Sequence, residues 1–347
     1  LDGARGLAVI LVMLFHLHIP GLALGWAGVP LFFCLSGFLI TGILISNKNK
    51  PFSEYIGNFL LNRSLRIFPL FYAYLIVNFL MLLILGKSTD GYIWFALYLQ
   101  NYIIGLTGET PGLLGHTWSL AIEEQFYWLW PIAIFFIKDK FYTKTFVSLI
   151  VISMLSRIVI YNLTNHSPYM INVTLISCVD MLVLGSFFAK IKDEKNAGKI
   201  SIVMAAFGII TTFYAIHSVG YSSFWSPEEW AGKCWYLFTA LGMTFSPLIY
   251  LLYKLDKCGK DIFLTKLFTS KALVYTGKIS YGLYMWHILC FYAVDMIFDK
   301  MGMQKSGFIW ATTSLMLAFV VSTISFYAFE IHFLNLKNKR KYSQSVS

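Results

Sequence analysis

The sequence predicts an all-α, polytopic integral membrane protein with about ten transmembrane helices and both termini cytoplasmic. Three observations lead there. Hydrophobic residues make up 58% of the 347 positions and charged residues only 13%, against about 25% charged in a soluble domain. The apolar residues gather in blocks of roughly 18 to 22, the length a helix needs to cross about 30 Å of hydrocarbon. The basic residues fall mostly on one side once those blocks are threaded back and forth. This composition excludes a disordered chain, a secreted disulfide scaffold and an ordinary cytosolic enzyme.

In order, the apolar blocks run over 4–22, 29–46, 67–86, 92–106, 118–137, 145–162, 171–189, 200–219, 234–253, 280–298 and 308–334. The block at 92–106 is the weakest, being short and interrupted by Gln100 and Asn101. With it left out and the N-terminus inside, the inner segments are 1–5, 47–66, 138–144, 190–199, 254–278 and 335–347. They carry 22 of the 27 Lys and Arg residues. Outside lie only Lys87, Lys233, Lys300 and Lys305, while Arg157 falls within a span. Threading 92–106 through the membrane would invert every later loop and violate the positive-inside rule. That stretch is therefore expected to lie at the outer surface or to re-enter against protein, where non-helical backbone is tolerated. The net charge of +10 then reports topology, and no nucleic-acid partner is expected.

Residues 1–336 read as one membrane domain, because no loop is long enough to hold a soluble one. Residues 337–347 read as a basic cytoplasmic tail at the anionic inner leaflet. The chain opens on Leu1 and not on Met, so native residues are expected upstream. Two histidines inside the first apolar run argue against a cleaved signal peptide. The five cysteines are scattered and lack any metal-ligand spacing, so neither disulfide nor metal is expected.

Ionisable groups at membrane depth are expensive, and each is a candidate for function. The acids are Glu123, Glu124, Asp180, Asp295 and Glu330; the bases are Arg157, His16, His18, His287 and His332, with Arg5 at the cytoplasmic mouth. On the first span, Asp2 is expected to cap the helix. Arg5 and His16 are eleven residues apart, which places them within about 20° of one helix face and about 16 Å apart in rise. A cation below and an imidazole half-way up suit a long amphipathic donor with phosphates at one end and a reactive group at the other. A snorkelling arginine and a hydrogen-bonded core histidine would give the same spacing. Arg63 and Arg66, at i and i+3, share a face that could clamp phosphates or merely satisfy the charge rule. Glu123 and Glu124 sit about 100° apart around the fifth span, so they cannot both do the same work. His287 and Asp295 lie about 80° apart on the tenth span and are not expected to act together; His287 is kept as a pocket residue.

At these residues the chain resembles the membrane acyltransferase family 3, whose members acylate cell-surface glycans and small molecules. The matching segments are LDGARGLAVILVMLFH (1–16), GVPLFFCLSGFLITGIL (28–44), RSLRIFPLFY (63–72), HTWSLAIEEQFYWLWP (116–131), VDMLVLG (179–185) and ISYGLYMWH (279–287). They stand in family order and cover essentially the whole chain. Two departures are Ala4, where a bulkier apolar residue is usual, and the lack of an Arg just before Asp180. The chain stops after the tenth span and looks like a stand-alone form.

The resemblance implies transfer of an acyl group, commonly acetyl, from cytoplasmic acyl-CoA to a hydroxyl of a surface glycan such as lipopolysaccharide or of a lipid-linked saccharide. The enzyme would sit in a bacterial inner membrane and bind no permanent cofactor. Arg5 and His16 match the family's essential pair, Arg63 and Arg66 its donor-linked R-x-x-R, and Glu123 and Glu124 its acids. His16 is expected to be the general base or a transient acyl-imidazole, oriented by Glu123 or Glu124. Trp118, Ser119, Tyr127 and His287 are expected around the substrate, and the outward Trp225, Trp230 and Tyr221 could stack a sugar. A transporter or flippase for a glycan would share the span count and the buried charges, but the inverted repeats and paired broken helices common in such folds are not seen.

Overall fold

In the computed structural model, which describes residues 1–109, 112–164, 168–226 and 230–336, the chain is built from helices. The basic tail at 337–347 lies outside the described residues. In chain order the helices are α1 (Asp2–His16), α2 (Gly28–Ser46), α3 (Phe52–Ile84), α4 (Tyr92–Ala96), α5 (Gln100–Thr107), α6 (Trp118–Phe136), α7 (Tyr142–Leu163) and α8 (Pro168–Val173). They continue as α9 (Leu175–Ile191), α10 (Ala197–Val219), α11 (Leu237–Lys257), α12 (Phe263–Phe268), α13 (Lys271–Lys278), α14 (Ser280–Lys300) and α15 (Gly307–Ser325). A single π turn, Phe326–Glu330, follows α15.

Eight of these stretches are long and apolar enough to cross a membrane. The expected spans at 4–22 and 118–137 correspond to α1 and α6, which fall outside that set. Helix α6 carries Glu123, Glu124 and Gln125 within its 19 residues. Helix α1 has only 15 residues, about 22 Å of rise, and stops six residues earlier than the apolar run suggested. His18 adopts φ 50° and Gly21 φ 81°, with Pro20 between them, and these turn the chain. In the opposite sense, α3 begins at Phe52, just after Pro51, and runs 33 residues. Arg63 and Arg66 therefore stand on a continuous helix rather than in an inner loop.

Loops assigned to the same side touch one another. On the basic side Lys48 Nζ donates to the Ile137 carbonyl at 2.5 Å, and Lys257 pairs with Asp193 at 3.1 Å. On the other side the Tyr221 hydroxyl donates to the Gly21 carbonyl at 2.6 Å. The 92–106 stretch does not cross. It breaks into α4 and α5 at Tyr98, whose φ is 54°. Gln100 and Asn101, which weakened it as a span, are what hold it. Gln100 donates to the Thr117 carbonyl at 3.0 Å, Asn101 to that of Val173 at 2.9 Å, and Gln125 on α6 reaches both Tyr98 and Asn101. Polar side chains here satisfy backbone that helical bonding has left open.

Two close crossings position the site. Gly37 on α2 and Gly185 on α9 bring their backbones together so tightly that a Cβ at either would overlap the opposite carbonyl. Gly3 and Gly277 do the same where α1 meets the α12–α13 corner. Without hydrophobic drive between helices in lipid, small residues that permit such approach are the main source of packing.

Candidate active site

Two cavities meet inside the bundle. The inner one, about 110 Å³, is lined by Arg5 from α1, Arg63 and Arg66 from α3, and Ser119, Glu123 and Tyr127 from α6. The outer one, about 250 Å³, is lined by His16 from α1, by His116 and Trp118, and by Trp26, Trp225 and Trp230 from outer loops. Val29, Phe33 and Tyr284 belong to both linings and form the wall between them.

The inner cavity gathers the three arginines, Arg5 from the first span and the Arg63–Arg66 pair, that were expected to hold the donor's phosphates. Arg5 pairs with Asp2. Asp2 thus does not cap α1 as expected: it is the first helical residue and makes no capping hydrogen bond. The Arg63 guanidinium lies over the rings of Phe59 and Tyr127, 5.8 and 5.5 Å from their centroids, a contact that steers the plane without neutralising the charge. Among the described residues neither Arg63 nor Arg66 enters an ion pair. Tyr127 is fixed by Ser36, hydroxyl to hydroxyl at 2.5 Å. Three cations against two carboxylates, Glu123 in the lining and Asp2 on Arg5, make a cleft suited to anionic oxygens.

His16 lines the outer cavity, and its Nδ1 lies 3.0 Å from Nε2 of His287, which stands behind it in neither lining and so is not the pocket residue expected. His287 is fully buried, and its Nδ1 lies 2.8 Å from the Tyr284 carbonyl and 3.1 Å from that of Leu283. Carbonyls only accept, so His287 Nδ1 carries the proton and a neutral His287 presents a lone pair at Nε2. His16 Nδ1 must then donate, which leaves His16 Nε2 with its lone pair free. A hydrogen-bond relay from backbone through two imidazoles selects the reactive tautomer of His16.

This overturns one expectation. Among the described residues neither Glu123 nor Glu124 contacts His16; the orienting partner is His287, 271 positions away. Glu123 faces the arginines, and the buried Glu124 turns elsewhere, its Oε1 without a partner. The two acids are adjacent in sequence and therefore diverge by about 100° around α6. Ser119 shares a 2.5 Å hydroxyl contact with Tyr284, which also donates to the His116 carbonyl at 2.7 Å. Trp225 stacks on Phe15 and on His18, with centroids 5.2 and 5.3 Å apart, whereas Tyr221 is not in the lining.

Other polar groups singled out by depth, Asp180, Asp295 and Glu330 among them, are in neither lining. Arg157 and Asp180 pair with each other at 2.6 Å. Asp295 accepts from Trp310 at 2.6 Å, and Glu330, in the π turn, accepts from Ser325 at 3.1 Å. Two lining residues had no assigned role from sequence. His116 and Tyr284 stood inside the matched segments without a role of their own. The signal available was their place in HTWSL and GLYMWH, three positions or fewer from residues already in view.

Compared with known proteins, residues 1–328 match the family described as "Acyltransferase domain". The chain is 29% identical over 312 residues to the O-acetyltransferase OatA of Staphylococcus aureus, covering 83% of this chain and 49% of that protein. It is 27% identical over 311 residues to the peptidoglycan O-acetyltransferase OatA of Listeria monocytogenes, covering 83% and 48%. The chain thus spans about half the length of the curated relatives it matches. No solved structure matches. The chain belongs to this acyltransferase family.

Proposed function

For a member of that family, we propose transfer of an acetyl group from cytoplasmic acyl-CoA to a hydroxyl of a cell-surface glycan or lipid-linked saccharide, at the cytoplasmic membrane of a bacterium. One observation carries the reading: an arginine-lined inner cavity and a histidine-bearing outer cavity are separated by a single wall at Val29, Phe33 and Tyr284. The relatives' names support acetyl as the group and a wall polysaccharide as the acceptor class.

Arg5, Arg63 and Arg66 hold the donor's phosphates, where guanidinium forks match phosphate oxygens. The thioester end extends along α1 toward His16, a rise of about 16 Å from Arg5. The acceptor hydroxyl comes from the outer cavity. His16 Nε2 takes its proton as the oxygen attacks the thioester carbonyl. The C–O bond forms, the C–S bond breaks, and the thiolate leaves on the arginine side, later recovering the proton from the imidazolium. While charged, the imidazolium is supported by the Nε2 lone pair of His287, itself polarised by two backbone carbonyls. Glu123 offsets the arginines when the donor is absent.

Replacing His16 with Ala should lower acetyl transfer by at least about a hundredfold, the scale of a lost general base, with an unchanged yield of folded protein. The readout is mass spectrometry of surface glycan from cells with and without the variant. Full acetylation by His16→Ala would remove the reading. Glycan that is relocated but never acetylated in expressing cells would favour a transporter.

A further inference from the structure

The outer cavity is lined by polar groups that the chemistry above does not use and that meet no partner at hydrogen-bonding geometry among the described residues. His116 is 7% exposed, lines the cavity, and neither of its ring nitrogens meets a partner at hydrogen-bonding geometry among the described residues. Trp230 is 5% exposed and also lines the cavity; its indole Nε1 is likewise unpartnered. So is Nε1 of Trp26, whose ring is stacked on that of Trp230 at 5.1 Å with the planes 9° apart. Each such group forgoes roughly 1 to 3 kcal/mol of hydration unless a ligand replaces it. Three in one cavity are an unusual concentration, since buried polar groups are otherwise paired.

Their arrangement indicates what they wait for. His116 packs edge-on against His287, with centroids 5.1 Å apart, and His287 packs against His16 at 5.0 Å. The unpartnered imidazole and the reactive one thus flank the same central ring and line the same cavity. The same lining carries the stacked indoles of Trp26 and Trp230, each with an N–H donor. A ligand that fits presents a ring with apolar C–H faces and oxygens at its rim, with one hydroxyl toward His16. That is a pyranose.

We propose that the outer cavity is the acceptor site and that His116 and Trp230 bind the sugar there: His116 hydrogen-bonds the oxygen next to the reacting hydroxyl, and the Trp230 indole N–H holds a second oxygen across the ring. The assignment rests on the acyl-transfer reading above. It makes His116 an acceptor-binding residue, distinct from the donor-binding arginines and from the base.

The test uses the full chain in lipid nanodiscs with acetyl-CoA and chitotriose as probes. His116→Phe and Trp230→Phe, which remove N–H groups and keep a ring, should each raise KM for chitotriose about three- to tenfold, the scale of one lost hydrogen bond. KM for acetyl-CoA should change less than twofold. Trp128→Phe, on the lipid-facing side of α6 at 53% exposure, is the matched control and should alter neither. An unchanged chitotriose KM in both site variants overturns the proposal, as does an equal rise in both KM values. Wild-type protein that consumes acetyl-CoA but shows no saturable transfer to chitotriose also overturns it. If His16→Ala remains fully active, the acyl-transfer reading itself falls. If His16→Ala is inactive while the site variants behave as wild type, only this inference falls.

Discussion

Two buried polar clusters in this protein look alike in sequence and differ in one respect. The first joins α7, α9 and α11 around Arg157. Its Nε and Nη2 donate to the Ser177 carbonyl at 2.8 and 2.5 Å, Nη1 to the Trp235 carbonyl and to Thr239, and Nη2 to Asp180 at 2.6 Å. Asp180 in turn accepts from Thr239 at 2.5 Å and from the Met181 amide at 3.0 Å. Every strong donor and acceptor there has a partner. The second cluster, His16, His287 and His116, has a fully engaged member at its centre, while among the described residues both ring nitrogens of His116 lack a partner. Both sit at membrane depth, where any ionisable group is a candidate for function. Satisfaction, not depth, separates a strut from a site: a saturated network has nothing left to offer a substrate.

That contrast can be broken by substitution. Arg157→Met should have the broadest effect, because Asp180 would be left as an uncompensated buried charge at about 3 to 5 kcal/mol. The expected result is loss of monodisperse protein on extraction and a large fall in thermal midpoint, with normal turnover per folded molecule. A stable but inactive Arg157→Met would place the strut in the chemistry. His287→Ala should do the reverse, lowering turnover by about a hundredfold through loss of the tautomer-setting partner, with little change in melting. His287→Asn, which can still accept from His16 Nδ1, should recover part of the rate, whereas a purely packing role would predict no such rescue.

Arg66→Ala should act on binding. KM for acetyl-CoA should rise about tenfold, with kcat affected less, the cost of one charge-assisted phosphate contact. That loss should shrink at high salt, and a salt-independent change would argue against a phosphate contact. Asp295→Asn should be nearly silent, with transfer within about twofold, since its hydrogen bond to Trp310 touches neither cavity and an exchange of one acceptor for another costs at most about 1 kcal/mol. A large loss there would extend the site along α14.

Helix existence was legible from the sequence almost everywhere, because apolar blocks and charge bias are properties of short stretches. Helix ends were less so. The apolar run through Leu17 and Ile19 concealed the stop at His16, and the polar start of α3 looked like a loop although Pro51 stands ready to begin a helix. Within the site, the shared face of Arg5 and His16 on α1 came from periodicity, and their reading as a pair came from the family resemblance. The mistaken link from His16 to the glutamates came from treating a conspicuous acid pair as the natural partner of a base.

The sequence by itself determined which residues share a helix face, how many apolar stretches there are, and which loops lie together, since a period of 3.6 and a count of charges need no neighbour. Only the tertiary structure decided which faces meet. The glycine crossings at Gly3, Gly37, Gly185 and Gly277 set the approach of helices distant in sequence. Packing between distant helices gives His16 an imidazole partner from α14, gives Arg157 a carboxylate from α9, and brings His116 into the lining of a cavity. Orientation about a helix axis is local, but the identity of the group facing it is fixed by packing between segments far apart in the chain.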